Sequence, residues 1–179
     1  MCQECPNELT GEWEVIKVCP DSGSCKFVGP LKMASHIPWR PSEGSKNGVK
    51  YRGATGHLIE NKGEKDIESY SREGAKLGSR WQGADITKVL AGMKEMCLAG
   101  NKVTFDIENG KNVSQIFNKK TKVVIPIDDT PKGYEFEMWV KTGSKTPNKK
   151  VQTEVKDHKS VNLFENLVST DFHGLVESL

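Results

Sequence analysis

The chain has 179 residues, with 26 lysines and arginines against 24 aspartates and glutamates and a formal net charge of +2, a balance that speaks against an obligate nucleic-acid binder, whose affinity rests on many phosphate contacts. A hydrophobic fraction of 35% and a charged fraction of 28% describe a soluble globular protein and exclude a disordered chain. No apolar run approaches the ~20 residues of a membrane-spanning helix, and the length suits a single domain able to bury a sizeable core.

Met1-Cys2-Gln3-Glu4-Cys5-Pro6 has no basic region followed by an apolar stretch and does not read as a secretory signal. Glu12 to Val18 alternates as a strand does, and Lys26 to Val28 is a second short strand in a cysteine-containing segment, residues 1–33. Residues 34–82 hold seven glycines and large apolar side chains without a clear period. They read as a long irregular loop, a kind of segment usually functional or disordered. Within it, Val49 to Tyr51 and His57 to Ile59 are candidate strands of a hairpin.

Residues 83–179 are more regular. Asp85 is a good N-cap, and Ile86, Val89, Leu90, Met93, Met96 and Cys97 put one apolar stripe on a helix over about 86–98, ended by Gly100. Val103, Phe105 and Ile107 then alternate with polar residues. Asn109-Gly110 is a strong hairpin signal, because both residues tolerate positive φ. The return strand is Lys111 to Phe117, a third strand is Lys122 to Ile127, and Pro126 marks its end or a sheet edge. Tyr134 to Lys141 puts Tyr134, Phe136, Met138 and Val140 on one face and leaves Trp139 on the polar face, where it needs a cover. Lys150 to Lys156 alternates as a further strand. Ser160 can cap a short C-terminal helix carrying Val161, Phe164, Leu167 and Val168. The tail residues Phe172, Leu175, Val176 and Leu179 repeat that spacing and need a partner, on this chain's core or on a neighbouring subunit.

The expected fold is α+β and mostly β: a single domain over 1–179, built as an antiparallel β-barrel or sandwich with one flanking helix and a short C-terminal helix. The central expectation is a helical stripe packed on one apolar side of an antiparallel meander, with Phe105, Phe136 and Val151 on a shared surface.

Cys2, Cys5, Cys19 and Cys25 form the one ligand-like cluster. A C-x2-C turn supplies two close thiolates, and zinc takes four such ligands in a tetrahedron. Metal binding, disulfides and plain thiols all remain open, zinc being the candidate cofactor. Cys97 lies on the apolar helix stripe and reads as a small buried side chain. The four histidines are scattered, and no metal-protease, nucleophile-elbow or phosphate-loop motif is present. Asp128-Asp129 before Thr130-Pro131 is a turn sequence. The lysine-rich stretches Asn118 to Lys122 and Lys145 to Lys150 read as solvated hairpin tips.

Two resemblances to known families follow. Leu9-Thr10-Gly11-Glu12-Trp13 resembles the G-x-W start of lipocalins and related calycin barrels, which implies a tryptophan closing the barrel base and a cavity for a small apolar ligand. The mid-chain helix departs from that family's eight-strand order. Ile86 to Met93, then Gly100, then Val103 to Ile107 look like phage tail-tube proteins and the type VI secretion tube protein, small β-barrels with a flanking helix that stack as rings through loops and termini. The function expected is therefore a non-enzymatic structural or assembly subunit of a homo-oligomer, of viral or phage type. It would self-associate through the 34–82 loop and the tail Phe172, Leu175, Val176 and Leu179. The alternatives are a lipocalin-like small-molecule-binding barrel and a zinc-stabilised module contacting protein or nucleic acid. A virion or host-cytoplasm location follows from the first, and secretion would follow if the N-terminal cysteines form disulfides.

Overall fold

In the computed structural model the described residues are 12–143, together with the backbone of Ser160–Asn162. The chain forms strands β1 (Glu12–Asp21) and β2 (Val28–Pro30), a one-turn helix α1 (Glu43–Lys46), and strands β3 (Lys50–Arg52), β4 (Leu58–Glu60), β5 (Gly63–Ser71), β6 (Lys76–Ala84) and β7 (Leu90–Gly92). Helix α2 (Met93–Leu98) follows, then β8 (Asn101–Thr104), β9 (Ile107–Glu108), β10 (Lys111–Asn112), β11 (Gln115–Asn118), β12 (Val124–Pro126), β13 (Asp128–Thr130), β14 (Gly133–Thr142) and β15 (Ser160–Asn162).

The mostly β fold is built on a closed six-stranded barrel in the order β1-β7-β2-β6-β5-β14, with β14 returning to β1. Closure removes free sheet edges. The β1–β14 pair is long and antiparallel, running from Glu12↔Thr142 to Val18↔Phe136. Strand β5 pairs antiparallel with β6 and with β14, whereas β2 lies parallel to β6 and β7 parallel to β1. Alternation turns Ile16 and Val18 of β1, Ile67 of β5, Leu77 and Trp81 of β6, and Phe136, Met138 and Val140 of β14 into a side-chain-filled interior. Phe27 packs on Trp81 with ring centroids 5.0 Å apart. Trp139 finds its cover on the outer wall, where it is half-buried opposite Val15 and Tyr70, its Nε1 donating to Glu137 at 3.2 Å.

A second layer packs on the barrel. Helix α2 leads into the three-stranded sheet β12-β11-β8, whose inner face carries Val103, Ile116 and Ile125. The buried Asn101 and Asn118 side chains bond each other at 3.0 Å, and Asn101 also reaches the Met96 carbonyl. The Asn109-Gly110 pair makes the expected tight reversal between β9 and β10, with φ of 51° and 74°. Gly100 follows α2 at φ 83°, as a helix-ending residue should.

Several expectations need correction. The helix placed over 86–98 spans only Met93–Leu98, because Leu90–Gly92 is used instead as the strand that closes the barrel between β1 and β2. Tertiary pairing overrides helix propensity there. The later start turns Glu95 and Met96 inward and leaves Cys97 exposed rather than buried. The strand after Gly100 ends at Thr104, so Phe105 and Ile107 are exposed. Phe105 packs beside Tyr134, ring centroids 5.0 Å apart, and does not share the interior with Phe136. The return strand breaks into β10 and β11 at the buried Ser114, whose hydroxyl accepts from the Asp106 amide.

Residues 34–82, expected to be irregular, contain β5 and most of β6, whose antiparallel register from Gly63↔Gly83 to Tyr70↔Lys76 is the longest in the barrel among the described residues. Their inward positions include Gly63, Lys65, Ser69 and Ser71 beside Ile67 on β5, and Ser79 and Gly83 beside Leu77 and Trp81 on β6, so the period of two is present but largely carried by small and polar side chains. The hairpin expected near 49–59 is β3–β4, with Tyr51 opposite Ile59. Ser160–Asn162 is a strand parallel to the start of β6 rather than the first turn of a helix. The expected strand at 150–156, with Val151, and the remainder of the C-terminal helix lie outside the described residues.

Candidate binding groove

Of the residues singled out from sequence, Cys2, Cys5, Phe172, Leu175, Val176 and Leu179 lie outside the described residues. Cys19 sits half-buried on β1 and Cys25 is exposed in the β1–β2 connection. Burial pushes the Cys19 thiol up, with Lys88 opposing it and Asp21 and Glu135 adding to it. Among the described residues no three His, Cys, Asp or Glu side chains converge as a metal requires. Asp128, expected in a turn, lies instead on β13 paired with β14, and its carboxylate accepts from Arg72 Nη1 and Nη2 at 2.9 and 3.2 Å.

The structure instead brings together residues that the sequence reading did not single out, in a groove of about 700 Å³ on the outside of the barrel. Its floor is the outer face of β5 and β6. There the register sets Glu64 opposite Gln82, Asp66 opposite Arg80 and Glu68 opposite Gly78. Gly78 presents no side chain, which deepens the floor beside Glu68. One wall is an arm, residues 40–62, that leaves the barrel after β2 and returns as β5. The arm is locally well determined: Ser42 caps α1 by accepting from the Ser45 amide at 3.0 Å, while the Ser45 hydroxyl sits 2.9 Å from the Ser42 amide. The opposite wall is Lys26 with Glu95. Glu95 is buried in the first turn of α2 and accepts from Lys26 Nζ at 2.8 Å and from the Phe27 amide at 2.9 Å.

A continuous polar network ties arm to floor. Asn61 is its junction: Nδ2 donates to Tyr51 Oη at 3.0 Å and to Gln82 Oε1 at 2.9 Å, while Oδ1 accepts from the Gly63 amide at 2.8 Å. Gln82 Nε2 donates to Glu64 at 3.3 Å, and Glu64 also accepts from Arg40 at 3.3 Å. Arg40 reaches Asp66 at 2.5 Å, and Arg80 Nε reaches the other Asp66 oxygen at 2.8 Å. Burial would raise the Asp66 carboxyl, but Arg80 and Arg40 together outweigh it and hold Asp66 below the usual range. Burial, with Glu95 adding to it, pushes the Tyr51 hydroxyl up to about 12, so Tyr51 keeps its proton at neutral pH.

The one sequence signal for this site was Glu64, Asp66 and Glu68 at every second position, which puts three carboxylates on one face of a strand. The partners Tyr51, Asn61, Gln82 and Arg80 come from elements whose pairing no local pattern announces. Compared with known proteins, the chain matches no family, no curated sequence and no solved structure.

Proposed function

We propose that the protein is a non-catalytic binding protein whose ligand lies in the groove between the arm and the outer face of β5–β6. The observation that carries this reading is the continuous network from Tyr51 to Arg80, which fixes a row of planar polar side chains along an open cleft. The cleft volume lies within the ~300–1,000 Å³ of ligand sites, and rotamers locked by mutual hydrogen bonds lower the ordering cost of binding. The groove carboxylates are engaged by cations: on the floor Glu64 by Arg40, Asp66 by Arg40 and Arg80 and Glu68 by Lys76, and in the wall Glu95 by Lys26. Arg80 and Arg40 hold the Asp66 carboxyl below the usual range and so keep it ionised and weakly basic, which suits recognition better than proton transfer. Amide-resolved NMR of the full chain titrated with a mixed library of soluble fragments tests this. Perturbations should gather at residues 64–68 and 78–82; a cluster elsewhere, or an even scatter, rejects the groove as the site.

A second reading, that the chain is also a subunit of a homo-oligomer, is favoured by a separate observation. The β9–β10 hairpin and its flanks carry three exposed apolar side chains, Phe105, Ile107 and Val113, 38%, 56% and 38% exposed, and neighbouring exposed apolar groups are a feature of association surfaces. Light scattering should give a mass well above 20 kDa that falls on Ile107→Lys. A monomer across the working concentration range rejects it.

A further inference from the structure

From the distribution of unused donors and acceptors in the groove, we infer that its ligand is a neutral, polyhydroxylated chain of the oligosaccharide class. The inference rests on the reading of the groove as a ligand site and narrows it to one chemistry. Arg80 uses Nε on Asp66, leaving the Nη groups among the described residues to donate elsewhere. Lys26 directs one bond to Glu95 and is half-exposed. Tyr51 accepts from Asn61 and retains its own hydrogen as a donor. Against these stand open acceptors. Glu68 is 80% exposed and meets only Lys76, at 3.4 Å, among the described cations, and Asp66 is 51% exposed with lone pairs beyond its arginine contacts.

Free donors and free acceptors therefore lie within one cleft, and three ligand chemistries can be compared on that basis. A phosphate or sulfate group would satisfy Arg80 and Lys26 but sit against Asp66, Glu68 and the other carboxylates of the lining. A polyamine or lysine-rich peptide would satisfy the carboxylates but meet Arg80, Lys26 and the Lys76 partner of Glu68. A hydroxyl both donates and accepts, so a chain of hydroxyls answers both sets without placing a net charge beside either. The half-buried Tyr51 ring, with Val49 beside it in the wall, supplies the apolar surface against which the C–H face of a sugar ring can pack.

The test is calorimetry on the full chain with five probes: cellohexaose and N-acetylchitohexaose as neutral chains, a hexameric oligogalacturonate as the anion, and hexalysine and spermine as cations. Glu68→Trp fills the groove from an exposed strand position where an aromatic is tolerated. Glu68→Gln and Tyr51→Phe each remove one polar function, and circular dichroism establishes that each variant is folded. At least one neutral hexasaccharide should bind the parent chain, weaken about fivefold in Glu68→Gln and in Tyr51→Phe, as loss of one hydrogen bond implies, and lose binding in Glu68→Trp. If only the anion or a cation binds in a manner lost in Glu68→Trp, the groove stands as a site and the sugar assignment falls. If no probe shows binding that Glu68→Trp removes, the inference falls, and fragment perturbations clustered away from β5–β6 would take the groove reading with it.

Discussion

Asn61 and Gln82, 21 residues apart in sequence, are joined by a 2.9 Å hydrogen bond from Nδ2 to Oε1 that fastens the arm to the barrel floor. Asn61 is 8% exposed and serves Tyr51, Gln82 and the Gly63 amide at once. Removing it leaves several partners without a bond in a poorly hydrated place. Asn61→Ala should therefore cost about 2–3 kcal/mol by urea denaturation, and Asn61→Asp, which keeps the acceptor for Gly63 but loses both donated bonds, should fall between. A loss below about 0.5 kcal/mol would mean the arm is held by other contacts.

Lys65 gives a pH-dependent prediction. It points into the barrel end with no accessible surface, donating to the carbonyls of Met33, Ala34 and Ile37, with the Trp39 ring centroid 4.1 Å from Nζ. Burial pushes it down from 10.5 to about 8, the Glu14 carboxylate opposing only in part. Between those two values the unfolded chain still holds a proton that the folded one has released, so stability should rise with pH across that window. One proton sets a ceiling of about 1.4 kcal/mol per pH unit. The window is best read below pH 10, because Tyr51, raised to about 12, acts in the opposite sense above it, while the raised Cys19 thiol offsets part of the rise within it. Denaturation midpoints at several pH values should show the rise in the parent chain and a shallower one in Lys65→Met. Equal slopes would place the Lys65 titration elsewhere.

Gly63 tests how the arm rejoins the barrel. Its φ of 126° suits glycine, and an added Cβ would run into the backbone carbonyl of Arg40, with which Glu64 forms a two-way bridge at 2.8 and 2.9 Å. Gly63→Ala should cost about 2–4 kcal/mol from strain and displaced backbone. It should also loosen the Arg40 pairs with Glu64 and Asp66, read as faster amide exchange at residues 40 and 64. Unchanged stability would contradict the close approach.

The β-rich plan, the β1 and β14 strands, the β3–β4 hairpin and the Asn109-Gly110 reversal were legible because their signals are local: alternation of large apolar side chains, or turn residues with a required φ. Half the barrel was not. On β5 the inward positions include Gly63, Lys65, Ser69 and Ser71, so hydropathy conceals the period, and Leu90–Gly92 became a strand only because β1 and β2 flank it. The groove was less legible still. Glu64, Asp66 and Glu68 are visible as an alternating acidic row, but Tyr51, Asn61 and Arg80 acquire their roles from long-range register. The cysteine cluster, conspicuous in the sequence, divides between residues outside the described part and two positions of different exposure.

That difference in exposure yields a last prediction. Cys25 and Cys97 are exposed, whereas Cys19 is half-buried on β1, its amide held by the Val89 carbonyl at 2.9 Å and its thiol pushed up by burial. Thiol alkylation proceeds through the thiolate, so its rate follows access and thiolate fraction together. Under reducing conditions near pH 7.5, brief iodoacetamide treatment with peptide mass mapping should label Cys25 and Cys97 clearly faster than Cys19, since burial limits both the access and the thiolate fraction of Cys19. Unfolding in urea should bring the three rates together. Rapid labelling of Cys19 in the folded chain would show that β1 is open at that end. Protection of Cys25 alone, lifted by a zinc chelator, would instead favour metal binding at the N-terminal cysteines.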